Sequence, residues 1–103
     1  MAEKEAIIQK WVKDQIEKKY GTDVYLFKVP QGPYNSRRGI PDLVMGIKGL
    51  FVAIEVKTDK GTLTKLQSHE LFKISKAGCI SLTIYGKSQP MLDVLFDTVE
   101  GLT

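Results

Sequence analysis

At 103 residues the chain has room for one domain around one core and not for two. With 43% hydrophobic and 26% charged residues it is neither a disordered tail nor a fibre, and no run approaches the ~20 apolar residues of a membrane span. The formal net charge of +3 hides an asymmetry: every base precedes Gln89, so residues 1–88 carry 15 bases against 9 acids, a balance that suits a polyanionic partner.

The single cysteine, Cys79, cannot form an internal disulfide, which fits a reducing cytoplasm. With His69 the only histidine, there is no thiolate and imidazole set for zinc. Met1-Ala2-Glu3-Lys4-Glu5 is charged, unlike the apolar stretch of a secretory leader.

From Lys4 to Lys19, Ile8, Val12 and Ile16 recur at i, i+4 and i+8, with Ile7 and Trp11 on adjoining rows, which predicts an amphipathic helix. Gly21-Thr22-Asp23 ends it, and Val24–Val29, rich in aromatic and β-branched residues, predicts a strand. The following segment, Pro30 to Gly39, is a loop by every local signal and carries Arg37 and Arg38 without an acid. Asp42–Ile47 and Leu50–Lys57 flank Lys48-Gly49 and read as a hairpin. Its second arm is apolar at Phe51, Val52, Ala53, Ile54 and Val56, as expected of a strand covered on both faces. A helix is predicted from about Thr64 to Ala77, stopped by Gly78. A strand follows over Cys79–Tyr85, then a helix capped by Ser88 with Pro90 in its first turn, running to about Val99. The order α-β-β-β-α-β-α, with a parallel crossover between residues 50 and 85, predicts a mixed sheet with helices on its faces.

Polar groups stand where this pattern calls for apolar ones. Glu55 and Lys57 interrupt the most hydrophobic strand and, two apart, point to one side of the sheet. Ionised groups there cost several kcal/mol each unless compensated. If Lys48 and Gly49 form a two-residue loop, Asp42 lies opposite Glu55 with Cβ atoms roughly 5 Å apart. If Gly46–Gly49 is a four-residue loop, Asp42 is a diagonal neighbour on the same face. Two carboxylates so close call for a cation between them, and an all-oxygen site suits Mg²⁺, with Mn²⁺ as substitute. Lys57 beside them can hold an attacking water or offset phosphate charge. Taken singly, Asp42 reads as a turn cap after Pro41 and Glu55 with Lys57 as an exposed ion pair on an edge strand. Their combination in one hairpin with apolar flanks favours the site.

Gln67 falls among Leu63, Leu71 and Ile74 on the apolar stripe of its helix, where an unpaired amide costs roughly 1–3 kcal/mol. Glu5 heads the stripe of Ile8, Val12 and Ile16, and Glu3 heads the neighbouring row through Ile7 and Trp11. Either reaches toward the same pocket or serves the helix dipole.

Three blocks, Gly39-Ile40-Pro41-Asp42, Ile54-Glu55-Val56-Lys57 and Gly61-Thr62-Leu63-Thr64-Lys65-Leu66-Gln67, resemble the core motifs of the virus-type replication-repair nuclease (VRR-NUC) domain. That family belongs to the PD-(D/E)xK nuclease superfamily, and the resemblance, to its stand-alone phage and bacterial form, spans nearly the whole chain. It implies an α/β fold with a restriction-endonuclease-like core, and a single nuclease domain over residues 1–103. Asp42 and Glu55, with the Val56 main-chain carbonyl, would ligate the metal. Lys57 would be the catalytic lysine, Gln67 the family's helix glutamine, and Glu5 the helix-one acid, with Glu3 as the alternative. The activity implied is hydrolysis of phosphodiester bonds in DNA by a Mg²⁺-dependent endonuclease without a small-molecule cofactor, on branched, junction or flap structures in replication, repair or recombination. Lys28, Arg37, Arg38, Lys60 and Lys65 are candidates for phosphate contacts, and Tyr34 for stacking. A homodimer in the cytoplasm of a bacterial or phage-infected cell is expected, without strong sequence specificity. The competing classes are a non-catalytic nucleic-acid-binding module on the same fold, and a small interaction domain whose ion pairs only fix register.

Overall fold

Turn chemistry and strand composition set the sheet. In the computed structural model, which describes residues 4–30 and 37–103, four strands lie side by side: β1 (Val24–Lys28), β2 (Leu43–Ile47), β3 (Leu50–Lys57) and β4 (Ile80–Tyr85). Lys48 and Gly49 adopt φ of 50° and 84°, the two positive values that a type I′ turn needs. The hairpin therefore takes the two-residue form, with Ile47 opposite Leu50 and Leu43 opposite Ile54. β1 pairs antiparallel with β2, while β4 pairs parallel with β3, its register running from Val52 with Ile80 to Lys57 with Tyr85. β3 is thus an interior strand, buried from Val52 through Lys57, as its apolar residues Val52, Ala53, Ile54 and Val56 predict.

Three helices flank the sheet: α1 (Glu5–Tyr20), α2 (Lys65–Lys76) and α3 (Gln89–Leu102). The predicted order and type of every element hold, and the differences lie at the ends. Residues Gly21–Asp23 form one 3₁₀ turn after α1. The side chain of Thr64 caps α2 instead of joining it. α3 runs three residues past Val99, because no breaker stands before Gly101.

Strand alternation assigns the two faces of the sheet. Leu43, Met45, Ile47, Val52, Ile54, Val56 and Ile84 form one core with Ile8, Val12 and Ile16 of α1 and Leu92, Leu95 and Val99 of α3. Each such aliphatic side chain contributes about 1.5–3 kcal/mol by leaving water. At the far end Tyr20 meets Phe96 edge to face at 5.7 Å. The other face is covered by α2 over β3 and β4, where the Ser81 hydroxyl donates to the Leu71 carbonyl at 2.9 Å. Tyr25, Phe27 and Phe51 on that face remain exposed.

Candidate active site

The site begins where the β2–β3 ladder stops. Beyond Leu43 and Ile54, the register places Asp42 opposite Glu55. The Asp42 main-chain oxygen accepts from the Val29 N–H at 2.8 Å, which ties it to the end of β1. Its side-chain Oδ2 accepts from the Val56 N–H at 2.7 Å, so the carboxylate takes over a donor that the ladder no longer reaches. The N–H and C=O of one strand residue leave on the same side. The Val56 carbonyl is accordingly directed toward Asp42.

Glu55 is 2% exposed. Its Oε2 lies 3.3 Å from Gln67 Nε2 and 3.8 Å from Lys57 Nζ, whereas its buried Oε1 has no hydrogen-bond partner. Burial, reinforced by the neighbouring Asp42 carboxylate, pushes the Glu55 carboxyl up to about 8, and Lys57 only partly opposes this. Loss of hydration and like-charge repulsion therefore outweigh the one adjacent ammonium. Glu5, half-buried in the first turn of α1, adds a further negative push on Glu55. Glu3 lies outside the described residues.

Gln67 stands at the head of the apolar stripe and not in its middle. Leu63 precedes the helix, and Gln67 sits in its first turn as half of a capping box. The Thr64 hydroxyl accepts from the Gln67 N–H at 3.1 Å, and Gln67 Oε1 accepts from the Thr64 N–H at 2.9 Å. With its oxygen held by the cap, the amide turns its NH₂ toward Glu55. Thr64 is thus a site-building residue, and its signal was present in the sequence as Thr-x-x-Gln ahead of an apolar stripe.

The motif glycines have steric reasons. Gly39 has φ of 81°, and a Cβ there would stand 2.7 Å from the Leu66 carbonyl carbon and oxygen. Only glycine lets the segment before Asp42 pass so close to α2. A Cβ at Gly61 would meet the Lys57 Cβ at 3.2 Å, so this turn packs directly on the lysine.

The surface candidates divide. Lys28, Arg38, Lys60 and Lys65 are exposed. Arg37 forks onto Glu70 of α2, Nε to Oε1 at 2.9 Å and a terminal nitrogen to Oε2 at 3.1 Å, and Lys73 reaches the same carboxylate at 3.2 Å. The guanidinium holds the Glu70 carboxyl below the usual carboxylate range. No sequence signal linked Glu70 to Arg37, since the pair is 33 residues apart. Tyr34 lies outside the described residues.

Among the described residues no group of three or more His, Cys, Asp and Glu side chains is gathered to hold a metal. The donors present are two carboxylates and a directed carbonyl, all hard oxygens. A buried carboxylate oxygen without a partner, on a group whose ionised form lacks compensation, fits the chemistry of a divalent cation.

An acid at the start of one strand, an acid and a lysine two apart on the next, and a mixed sheet in this order fit the arrangement implied by the sequence resemblance to the PD-(D/E)xK nuclease fold. Within it, the chain has the fold of the VRR-NUC domain. It superposes on a solved VRR-NUC domain with a TM-score of 0.68 at 25% identity, covering 90% of this chain and 94% of that one. A VRR-NUC domain protein gives a TM-score of 0.66 at 17% identity, over 88% and 84% of the two chains. The Holliday junction resolvase Hjc of the archaeal hyperthermophile Archaeoglobus fulgidus gives 0.53 at 18% identity, over 76% and 67%. No family model and no curated protein matches the sequence. The resemblance carried by the three sequence blocks is borne out in three dimensions.

Proposed function

We propose that the protein is a divalent-metal-dependent DNA endonuclease that hydrolyses phosphodiester bonds. The observation that supports this most directly is Glu55, a buried carboxylate beside Asp42 and Lys57 with one oxygen unpartnered and its carboxyl pushed up to about 8. A structural ion pair would not need a second acid at this point. Asp42, Glu55 and the Val56 carbonyl would hold the ion, Mg²⁺ with Mn²⁺ as substitute. When bound, such an ion activates a water and offsets charge on the scissile phosphate.

The remaining roles belong to the chain itself. The Val56 N–H fixes the Asp42 carboxylate, and Gln67, oriented by its cap, steadies Glu55. Lys57 presents its ammonium to the attacking water and to the phosphate oxygens. Glu5 adds negative charge to the same cluster. Lys28, Arg38, Lys60 and Lys65 contact backbone phosphates, whereas Arg37, engaged by Glu70, holds the segment before Asp42, and Tyr34 stacks on an exposed base or ribose. One site cuts one strand, so action on both strands of a junction or flap calls for a twofold homodimer. The setting is replication, repair or recombination in the cytoplasm of a bacterial or phage-infected cell. Among the described residues, no helix is long and apolar enough to cross a membrane.

The test is cleavage of labelled four-way, flapped, nicked and linear DNA with Mg²⁺ or Mn²⁺. Cleavage of branched forms, abolished by EDTA and by Lys57→Ala, is expected. DNA binding in EDTA without cleavage in either metal would replace the nuclease with a non-catalytic binding module.

A further inference from the structure

The face of α1 turned toward β1 carries a groove, rimmed by lysines, that the catalytic cluster does not use. Ala6, Gln9, Lys10 and Lys13 follow one another at i, i+3, i+4 and i+7, so they form a single ridge. Opposite them stand Lys28, the last residue of β1, and Leu43, the first of β2, and together these residues line a groove of about 270 Å³. That is below the ~300–1,000 Å³ of most small-molecule sites, and suits one compact anionic group. Lys13 and Lys28 are exposed and carry their charge on its rim, while Lys10 is balanced by Asp14 at 2.8 Å. Gln9, 9% exposed, lines the groove with them and offers it an amide.

The groove opens on the α1 face of the sheet, at the same end as the catalytic cluster on the α2 face. Lys28 pairs with Leu43, and the next residue of each strand meets through the Val29 N–H and the Asp42 carbonyl. Glu5, whose charge acts on Glu55, begins the helix that carries Gln9 and Lys13. At 1.5 Å per residue these lie about 6 and 12 Å along α1 from Glu5, two to four steps of a strand rising about 3.4 Å per nucleotide. The geometry points to a phosphate-anchoring subsite in which Gln9, Lys13 and Lys28 grip the phosphodiester backbone of the DNA strand beside the cleaved bond. This assignment rests on the proposed action on DNA and adds where the strand is held.

Binding measured in EDTA separates the subsite from catalysis. For a fluorescent duplex titrated across salt concentrations, Lys13→Ala/Lys28→Ala should reduce the magnitude of the log K against log [salt] slope by about two, since each lost phosphate contact removes about 0.9. Gln9→Leu should weaken binding several-fold with the slope unchanged, because it removes a neutral contact. Both variants should melt like the parent, which checks folding. A double variant with parental slope and affinity would overturn the subsite even if the enzyme cuts DNA. A reduced slope in a protein that cuts nothing would uphold the subsite while the nuclease reading failed. Calorimetry with inorganic phosphate is the second arm: tight phosphate binding lost in the double variant, with DNA binding untouched, would assign the groove to a free anion and overturn the DNA anchor.

Discussion

Val52, Ile54 and Val56 alternate along β3 with Ala53, Glu55 and Lys57, and all six are buried. On one side the strand meets α1 and α3 through aliphatic carbon alone. On the other, within the same two turns of pleat, it presents a carboxylate and an ammonium under the first turn of α2. The two sides are equally withdrawn from water, so burial does not distinguish them; the free energy does. The apolar side gains by leaving water, whereas each ion on the polar side gives up several kcal/mol of hydration. Replacing a buried ion pair with well-packed apolar residues is often neutral or stabilising by about 1–4 kcal/mol. The polar side is therefore explained by chemistry and the apolar side by folding.

The largest expected effect of breaking this contrast is on the polar side and appears in rate. Lys57→Ala should lower cleavage by about a thousandfold or more, equivalent to about 4 kcal/mol of transition-state stabilisation, while the protein in EDTA still unfolds cooperatively. A variant that retains a tenth of the parental rate would remove Lys57 from the mechanism.

On the apolar side the effect should appear in stability instead. Ile54→Ala should cost about 2–5 kcal/mol in urea unfolding, from lost transfer energy and the cavity left behind. Glu55→Gln, one residue away and also buried, should leave the metal-free protein as stable or more so, because it removes a carboxyl whose ionised form this environment disfavours. Equal destabilisation by the two would make the polar side structural.

A third effect follows from the same carboxyl. In the metal-free fold it is pushed up to about 8 from an ordinary value of 4.5. A group raised in the folded state contributes its stability fully below its ordinary value, and loses it as pH rises through the folded value. Between about pH 5 and 8 in EDTA the parent should lose melting temperature relative to Glu55→Gln, and Mg²⁺ should cancel that loss in the parent alone. A difference between parent and variant that stays flat across this range would contradict the assignment.

These contrasts also explain what could be read from the residues alone. Strand and helix types were legible because apolar spacing in this chain is regular, and the hairpin because Lys48-Gly49 interrupts it, while the choice between a two-residue and a four-residue loop rests on the positive φ of both turn residues. Asp42, Glu55 and Lys57 stood out because charge on an apolar strand has few physical reasons. Gln67 was legible as an anomaly, but Leu63 was counted on its stripe although it precedes the helix, and the cap at Thr64 that orients the amide was not read. The Arg37–Glu70 fork and the groove of Gln9, Lys13 and Lys28 were not legible. Each joins residues distant in sequence, and no local pattern encodes which charged side chains a fold brings together.

The smallest expected effect tests that fork. Arg37 ties the segment before Asp42 to Glu70, three residues beyond Gln67 on α2, so it connects two walls of the polar side. Its side chain is 62% exposed, and solvent screens the pair. Glu70→Gln should therefore lower the melting temperature by only about 1–3 °C at neutral pH. Because the Glu70 carboxyl is held below its ordinary value, first by Arg37 and then also by Lys73, its contribution is present above that value and lost as pH falls through the folded one. Parent and Glu70→Gln should thus converge in acid and in high salt. If they stay apart under both conditions, the Glu70 side chain acts through packing, and the fork is not what joins Gly39 and its neighbours to the helix.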